Sequence, residues 1–425
     1  MVELECDLGF FKKGNRWADP DIAQAAEYMK RLYQEPEYGR QKARCAKEYI
    51  ENKLGMKRIT GIIEKRILPE KQLEYLRGLR QKMLREQIKK AQIQQFEPEK
   101  FQKGINLIGP LEESSGLGQS SRLLEAELKQ SGIPYTAWEY AQQNAKRDSR
   151  EILKGLSYGI NIFHINAHEF EQAFCSLTQR AWNGHYNIAF WLWELEDFPE
   201  RWAPYTRFFD EIWTPAEFVS ASIRRKSSVP VYTVPYWITA EYDAGLRRSY
   251  FGLPEDKFLF LMAFDRNSVS ERKNPQGCIE AFKRAFEAGR TDIGLVIKIN
   301  HASEKDKKDL EQQLKGYNVY FISKTLTKTE MNSLIRLIDV YVSLHRAEGF
   351  GLILAESMLL GTPVIATNYS ANTEFMNEEI SCLVDCRLIK LENDCWPYEK
   401  GSRWADPDID MAAGYMKRLL EDREY

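Results

Sequence analysis

Glu348-Gly349-Phe350-Gly351-Leu352, with Glu356 just beyond, is the stretch whose residue types and spacing could do chemistry. Gly349 and Gly351 let the backbone pass close to a ligand, because a residue without Cβ enters turns closed to others. The apolar run after them predicts a helix from about Leu352 to Leu360, whose first turn carries unpaired N–H groups and a partial positive charge. An anion suits that place, bound along the backbone from Gly349 through Phe350 and Gly351 to Leu352. Glu348 stands just before the helix and Glu356 about one turn inside it. Two carboxylates thus flank the anion, each able to accept hydrogen bonds from hydroxyls of a sugar or a ribose. Phosphate, sugar and ribose together describe a nucleotide sugar.

Two glutamates eight positions apart arise readily by chance in a chain with 62 acidic residues, so their setting decides. Apolar YVSL (341–344) reads as a strand before the glycines, and GTPVIA (361–366) as a buried strand after the helix. That is a βαβ unit of a nucleotide-binding sheet. A second set of charges follows another strand, FLFLMAF (258–264), which runs into Asp265-Arg266-Asn267 and then Glu271-Arg272-Lys273-Asn274-Pro275. Arg266 at a strand end and Lys273 near a helix start are placed to converge on a diphosphate, each charge-assisted contact contributing roughly 1.5–3 kcal/mol. The competing reading is solvated surface charge.

The positioning elements can be followed along the chain. GINLIGP (104–110) predicts a buried strand, then the Ser/Gly loop 114–120 and a helix to about Gln130; strands follow at 135–140, 159–166, 186–194, 211–216 and 229–236. After Tyr236 come 258–264, 294–300 and 319–323. Helical stretches between them imply parallel sheets covered on both faces, with ligands beyond the carboxyl ends of the strands. That rule selects His164, Asn166, His168 and Glu169 after one strand and Trp193, Glu194, Glu196 and Asp197 after another. His164, inside its strand, reads as a satisfied core histidine; His168, past the end, can reach donor or acceptor. The loop at Gly116 and Gly118 is not a dinucleotide fingerprint, because Ser121 stands where the third glycine belongs.

Composition closes several classes. At 425 residues the chain suggests two or three domains, and 60 basic against 62 acidic residues leave a net charge of −2, no field for nucleic acid. Seven cysteines lie scattered without a C-x-x-C pair or zinc spacing, as reduced thiols would. No signal peptide pattern opens the chain and no apolar run approaches the ~18 residues that cross a bilayer. The expectation is a cytoplasmic protein.

The segment 341–375 resembles the E-x7-E signature of retaining GT-B glycosyltransferases of family 4, and the likeness extends through GTPVIAT and FDRNSVSERKNPQGCIEAF. The resemblance implies the GT-B fold, two Rossmann-like α/β domains facing across a cleft, with an added N-terminal helical segment. It implies transfer of a sugar from a nucleotide sugar to a glycan or lipid-linked acceptor, with retention, no metal and no other cofactor. Arg266 and Lys273 would stabilise the leaving diphosphate, Glu348 would orient donor hydroxyls and Glu356 the ribose. Gly116 and Gly118 would approach the donor from the opposite domain, and the base would lie near Thr325. WLWELEDFPERW (191–202) resembles bacterial polysaccharide enzymes in which this loop faces the acceptor, making Glu194 an acceptor-side candidate beside His168. A silent GT-B scaffold and an epimerase or phosphorylase on the same fold are the alternatives.

KGNRWADPDIAQAAEYMKRLY (13–33) recurs as KGSRWADPDIDMAAGYMKRLL (400–420), too far apart for a solenoid and suited to tandem domains. Residues 1–68 then read as the tail of an upstream glycosyltransferase module. In each copy an Asp is expected to cap a helix with Pro at its first position: Asp19-Pro20-Asp21 and Asp406-Pro407-Asp408. Capping, rather than D-x-D metal binding, accounts for these aspartates. Residues 39–68 resemble the closing helices of family 4 enzymes and are expected to dock where this module's own would lie. Residues 69–102 read as a basic linker helix, ~40 Å long if it runs to Gln95, with peripheral contact to the inner face of a membrane as the sharper reading. The acceptor domain is placed at 103–241 and the nucleotide-sugar domain at 242–425.

Overall fold

The computed structural model describes residues 2–3, 16–17, 21–54, 70–141, 144–266 and 269–422. It divides into two compact units, Met1–Glu86 and Gln87–Tyr425. In the first, Val2–Glu3 pairs antiparallel with Arg16–Trp17, and helices α1 (Ile22–Gln34) and α2 (Pro36–Leu54) follow. The closing-helix expectation covers α2, while its residues 55–68 lie outside the described ones. None of the described side chains of α1 is buried: Ile22 is 80% and Met29 72% exposed.

Helix α3 (Glu70–Lys90) stops five residues short of the predicted Gln95. There Ile88 is buried and the Ile88 and Lys89 carbonyls accept hydrogen bonds from Arg207 at 2.6 and 2.9 Å. The chain beyond runs irregularly along the second unit, Glu97 N–H donating to Gly184 O at 2.8 Å.

The second unit holds two six-stranded parallel sheets. The first contains β1 (Gln102–Gly109), β2 (Tyr135–Glu139), β3 (Tyr158–Phe163), β4 (Tyr186–Phe190), β5 (Glu211–Thr214) and β6 (Val231–Thr233), in the order β2-β1-β3-β4-β5-β6. Its interior strands are apolar on both faces, as a covered parallel sheet requires, with Leu107, Ile108, Ile162 and Phe163 sealed from water. A polar rung crosses this core. Asn106, Asn161 and Asn187 occupy matching positions on β1, β3 and β4 and pass hydrogen bonds along at 2.9 and 3.0 Å, so no amide is left unmatched. Helix α4 (Gly116–Ser131) follows β1, capped by Ser115 and ended by Gly132 in the left-handed region, and α5 (Ala145–Gly155), α6 (Phe170–Leu177) and α7 (Glu217–Arg224) follow β2, β3 and β5.

The second sheet runs β9-β8-β7-β10-β11-β12, built from β7 (Phe258–Asp265), β8 (Ile293–Asn300), β9 (Val319–Ile322), β10 (Val340–Ser343), β11 (Val364–Thr367) and β12 (Cys382–Val384). Between β10 and β11 lies the predicted helix, α12 (Leu352–Leu359), preceded along the chain by α8 (Ser270–Lys273), α9 (Pro275–Ala285), α10 (Glu304–Gln313) and α11 (Lys328–Leu337). Past β12 comes a feature absent from the sequence reading, an antiparallel hairpin of β13 (Cys386–Lys390) and β14 (Arg403–Pro407). Helix α13 (Ile409–Glu421) then buries Ala412, Ala413, Met416 and Leu419 in the core that also holds Phe282 of α9.

The expected cap moves by two residues. Asp408 is the N-cap of α13, accepting from the N–H groups of Asp410 and Met411, and Asp21 caps α1 in the same way. Pro407 ends β14, where its fixed φ suits an edge strand, and Asp406 is drawn away to Arg346 and Arg387, both at 2.9 Å. Asp19 and Pro20 of the first copy lie outside the described residues.

Candidate active site

The site is built around Glu348, in the loop from β10 to α12. Its N–H donates to Ser370 Oγ at 2.8 Å, and Ser370 sits at φ +77°, an unfavourable backbone for any residue but glycine. One carboxylate oxygen lies 2.5 Å from Lys273 Nζ, the other 3.1 Å from Arg272 Nη1. Burial works to raise the Glu348 carboxyl, but Lys273, Arg272 and the neighbouring His345 outweigh it and hold it down at about 2. It is a carboxylate across the whole working pH range.

Both cations come from the single turn α8, which Asn274 ends at φ +49° while its side chain caps α9 and donates to Leu344 O at 2.8 Å. Arg272 points inward with 8% of its side chain exposed, its Nη1 also donating to Ala347 O at 2.8 Å. Burial works against its charge, but Tyr398, Glu348 and Glu194 together keep the guanidinium firmly protonated. Sequence reasoning had not selected Arg272. Two adjacent cations in ERKNP look alike until the αL cap at Asn274 decides which one turns in.

Arg266 is placed elsewhere. Half exposed, it pairs with Asp306 of α10 at 3.1 Å and donates to Ser270 Oγ at 3.0 Å, so the structure brings Lys273 and Glu348 together and leaves Arg266 at the rim.

The two signature glutamates face different partners. Glu356 is 1% exposed and ion-paired with Lys328 at the start of α11; its second oxygen, Oε2, is buried without a hydrogen-bond partner. Burial raises this carboxyl and Lys328 opposes the shift. Thr325 is exposed in the neighbouring β9–α11 loop. Gly351 takes φ +97° at the N-cap of α12, a conformation that explains a glycine there.

Gly349 explains itself differently. A Cβ would come within 3.1 Å of Trp193 O in the first domain, so the glycine loop and the β4 exit loop run side by side. Phe350 bridges the two domains, its ring lying 5.2 Å from that of Phe375 in its own domain. Its ring meets Tyr236 edge to face at 4.9 Å and, with Leu352, packs on the apolar cluster of the first sheet. Beneath it, Tyr236 OH bonds to Ser120 Oγ, and Ser120 Oγ lies 2.7 Å from His164 Nε2. Burial pushes His164 down to about 3, so it is a neutral core histidine, but not the satisfied one expected, because its Nδ1 is buried without a hydrogen-bond partner. Gly118, inside the first turn of α4, has no room for a side chain: a Cβ would lie 2.2 Å from Glu113 O. A Cβ at Gly116 would meet nothing within 4 Å.

Between the domains opens a cavity of about 310 Å³, walled on one side by Asn166, His168, Trp193 and Glu194 and on the other by Arg272, Trp396 and Tyr398. Glu194 accepts from Tyr398 OH at 3.0 Å and lies 3.8 Å from Arg272 Nη2, so Arg272 joins this cavity to Glu348. Burial lowers the His168 pKa, Glu194 working against it, and leaves a neutral imidazole able to donate or accept. Among the described residues no cluster of three His, Cys, Asp or Glu side chains could hold a metal ion, and no helix is long and apolar enough to cross a membrane.

Two parallel six-stranded domains with a charged cleft between them are the GT-B fold, and residues 248–392 match the family model described as glycosyl transferases group 1. The enzyme is a glycosyltransferase. The chain is similar in structure to sucrose-phosphate synthase from Thermosynechococcus elongatus, at 15% identity and a TM-score of 0.56 over 76% of this chain and 90% of that one. It is also similar to WaaG, a glycosyltransferase involved in lipopolysaccharide biosynthesis, at 13% identity and a TM-score of 0.51 over 75% and 91%. At those identities the likeness is one of fold. No curated protein sequence matches the chain.

Proposed function

We propose that the protein is a retaining glycosyltransferase of the family 4 type, moving a sugar from a nucleoside diphosphate onto a glycan or lipid-linked acceptor in surface polysaccharide synthesis. The observation that carries this is the buried Lys273–Glu348–Arg272 group beside the glycine turn that opens α12. Fixed cations next to helix N–H groups suit a diphosphate whose negative charge grows as the bond to the anomeric carbon breaks. The acceptor hydroxyl replaces the diphosphate on the same face of the sugar, its proton leaving with the diphosphate, and Lys273 and Arg272, shared with Glu348, meet the growing charge without a metal in this reading.

Glu348 then orients donor hydroxyls, and the unpartnered Glu356 oxygen awaits a ribose hydroxyl, with the base near Thr325. Arg266 reaches the diphosphate by leaving Asp306, a cheap exchange because an exposed ion pair contributes only about 0–1 kcal/mol. Gly116 and Gly118 line the donor from the first domain, and His168 and Glu194 face the acceptor. The repeat of 13–33 at 400–420 supports a preceding module of like kind in a longer chain, and the basic sequence of residues 69–102 supports work from the cytoplasm at the inner face of a membrane.

The test is nucleotide release from a panel of UDP-, GDP-, ADP- and TDP-sugars. One donor should be hydrolysed slowly, with the rate lost in Glu348→Gln and reduced in Arg266→Ala. If no donor is hydrolysed and none binds by calorimetry, the protein is a silent module and the reading fails.

A further inference from the structure

The hairpin β13–β14 carries a 12-residue loop, 391–402, from the second domain to the first. Arg201, a few residues past the β4 exit loop, holds it there. Arg201 donates to Pro397 O at 2.8 Å, pairs with Glu399 at 2.9 Å, and lies in the corner formed by two indoles that meet edge to face, 4.7 Å from the ring centre of Trp202 and 4.7 Å from that of Trp396. Tyr398 is anchored too, 3% exposed and bonded to Glu194. Trp396 is the exception. It is fixed by this scaffold at the mouth of the interdomain cavity, edge-on to His168, yet 64% of it faces water.

A large aromatic side chain that is rigidly held but left open is poor core and good platform. The C–H face of a pyranose ring is apolar and matches an indole, while its rim hydroxyls need donors and acceptors. Glu194, His168 and Asn166 supply those from the cavity wall. A volume of about 310 Å³ sits at the small end of ligand sites, a size for one sugar ring rather than an acyl chain.

We propose that loop 391–402 is an acceptor-binding element contributed by the nucleotide-sugar domain, with Trp396 as the stacking platform for a terminal pyranose of the acceptor. The acceptor is therefore a glycoside, whatever carries it. Arg201 is a positioning residue that sets the indole. This rests on the glycosyltransferase reading and deepens it.

The experiment uses the full chain with a panel of methyl and p-nitrophenyl glycopyranosides. Saturation-transfer NMR on wild type should show contacts to the C–H face of at least one pyranoside, lost in Trp396→Ala and kept in Trp396→Phe. With that pyranoside as acceptor, Trp396→Ala should raise the acceptor KM roughly three- to tenfold, with a smaller change in kcat. Phe should restore most of it. Arg201→Met, which keeps the stem but releases Pro397 and Glu399, should move the same KM in the same direction. An acceptor KM unmoved by Trp396→Ala, or signals unchanged by it, overturns this inference while leaving donor hydrolysis, and with it the functional reading, intact. Absence of both donor hydrolysis and donor binding in wild type sinks the functional reading instead, and pyranoside contacts that depend on Trp396 would still stand.

Discussion

Replacing Arg272 by Met tests whether the cation pair holds the site together. The guanidinium is 8% exposed and shared among Glu348, Glu194 and Ala347 O. Removing one partner of a buried ionic group leaves the others uncompensated, at a cost of about 3–5 kcal/mol. For a domain of this size 1 kcal/mol moves the melting midpoint by about 2–4 °C, so Arg272→Met should melt at least ~6 °C lower at pH 7. The pH profile gives a sharper reading. Glu348 is depressed from the ordinary 4.5 to about 2, so its ion pairs stabilise the fold fully above pH 4.5 and that stability drains away as pH falls toward 2. The gap corresponds to about 3 kcal/mol. In Arg272→Met this acid limb should shrink, since a lost cation lets the Glu348 pKa climb back toward the ordinary range. In Glu348→Gln its contribution should vanish. The double variant should be less damaged than the two singles added together, by about 0.5–3 kcal/mol. Calorimetric melts from pH 3 to pH 8 measure all of this. A loss under 1 kcal/mol, strict additivity, or an acid limb unchanged in Glu348→Gln would refute the reasoning.

Gly118→Ala should destabilise by about 1–3 kcal/mol in thermal melts, because its Cβ would meet the Glu113 carbonyl at 2.2 Å and the loop from Pro110 must shift. Glu169, raised to about 7 by burial and by Glu113 against the opposing Asn166 N–H, loses stability as pH rises from 4.5 through 7. Glu169→Gln should therefore match wild type at pH 4 and melt higher at pH 8, by up to about 3 kcal/mol. Met416→Ala, at a fully buried position, should cost about 2–5 kcal/mol. The identical change at its repeat partner Met29, 72% exposed, should stay within about 0.5 kcal/mol.

Much of the frame was legible because parallel strands buried on both faces declare themselves. YGINIF and FLFLMAF admit no other reading, and their observed bounds lie within a few residues of those predicted. The glycine turn and α12 were equally plain, since E-G-F-G followed by an apolar run is a local pattern with a local cause. What escaped depended on distance along the chain. Arg272 and Lys273 have the same sequence signature, and both reach a loop 75 residues away, Arg272 to Ala347 O and Lys273 to Glu348, a meeting that no local pattern announces. Trp396 and Tyr398 matter because a hairpin carries them to the first domain, and no short-range periodicity marks β13 or β14. The α13 cap slipped by two residues while Arg346 and Arg387 claim Asp406, a competition between partners that no single segment reveals.

Phe350 bridges the two domains. Its backbone belongs to the turn proposed to cradle the diphosphate, yet its ring is seated on Tyr236 in the other domain, above Ser120 and His164. A rotation that parts the two sheets must pull that ring off Tyr236, leaving it only the contact with Phe375 on its own side. Exposing an aromatic ring that buries ~150 Å² costs about 4 kcal/mol, and a partly buried one somewhat less. One ring thus adds an apolar cost to opening the cleft at the very turn that carries the glycines.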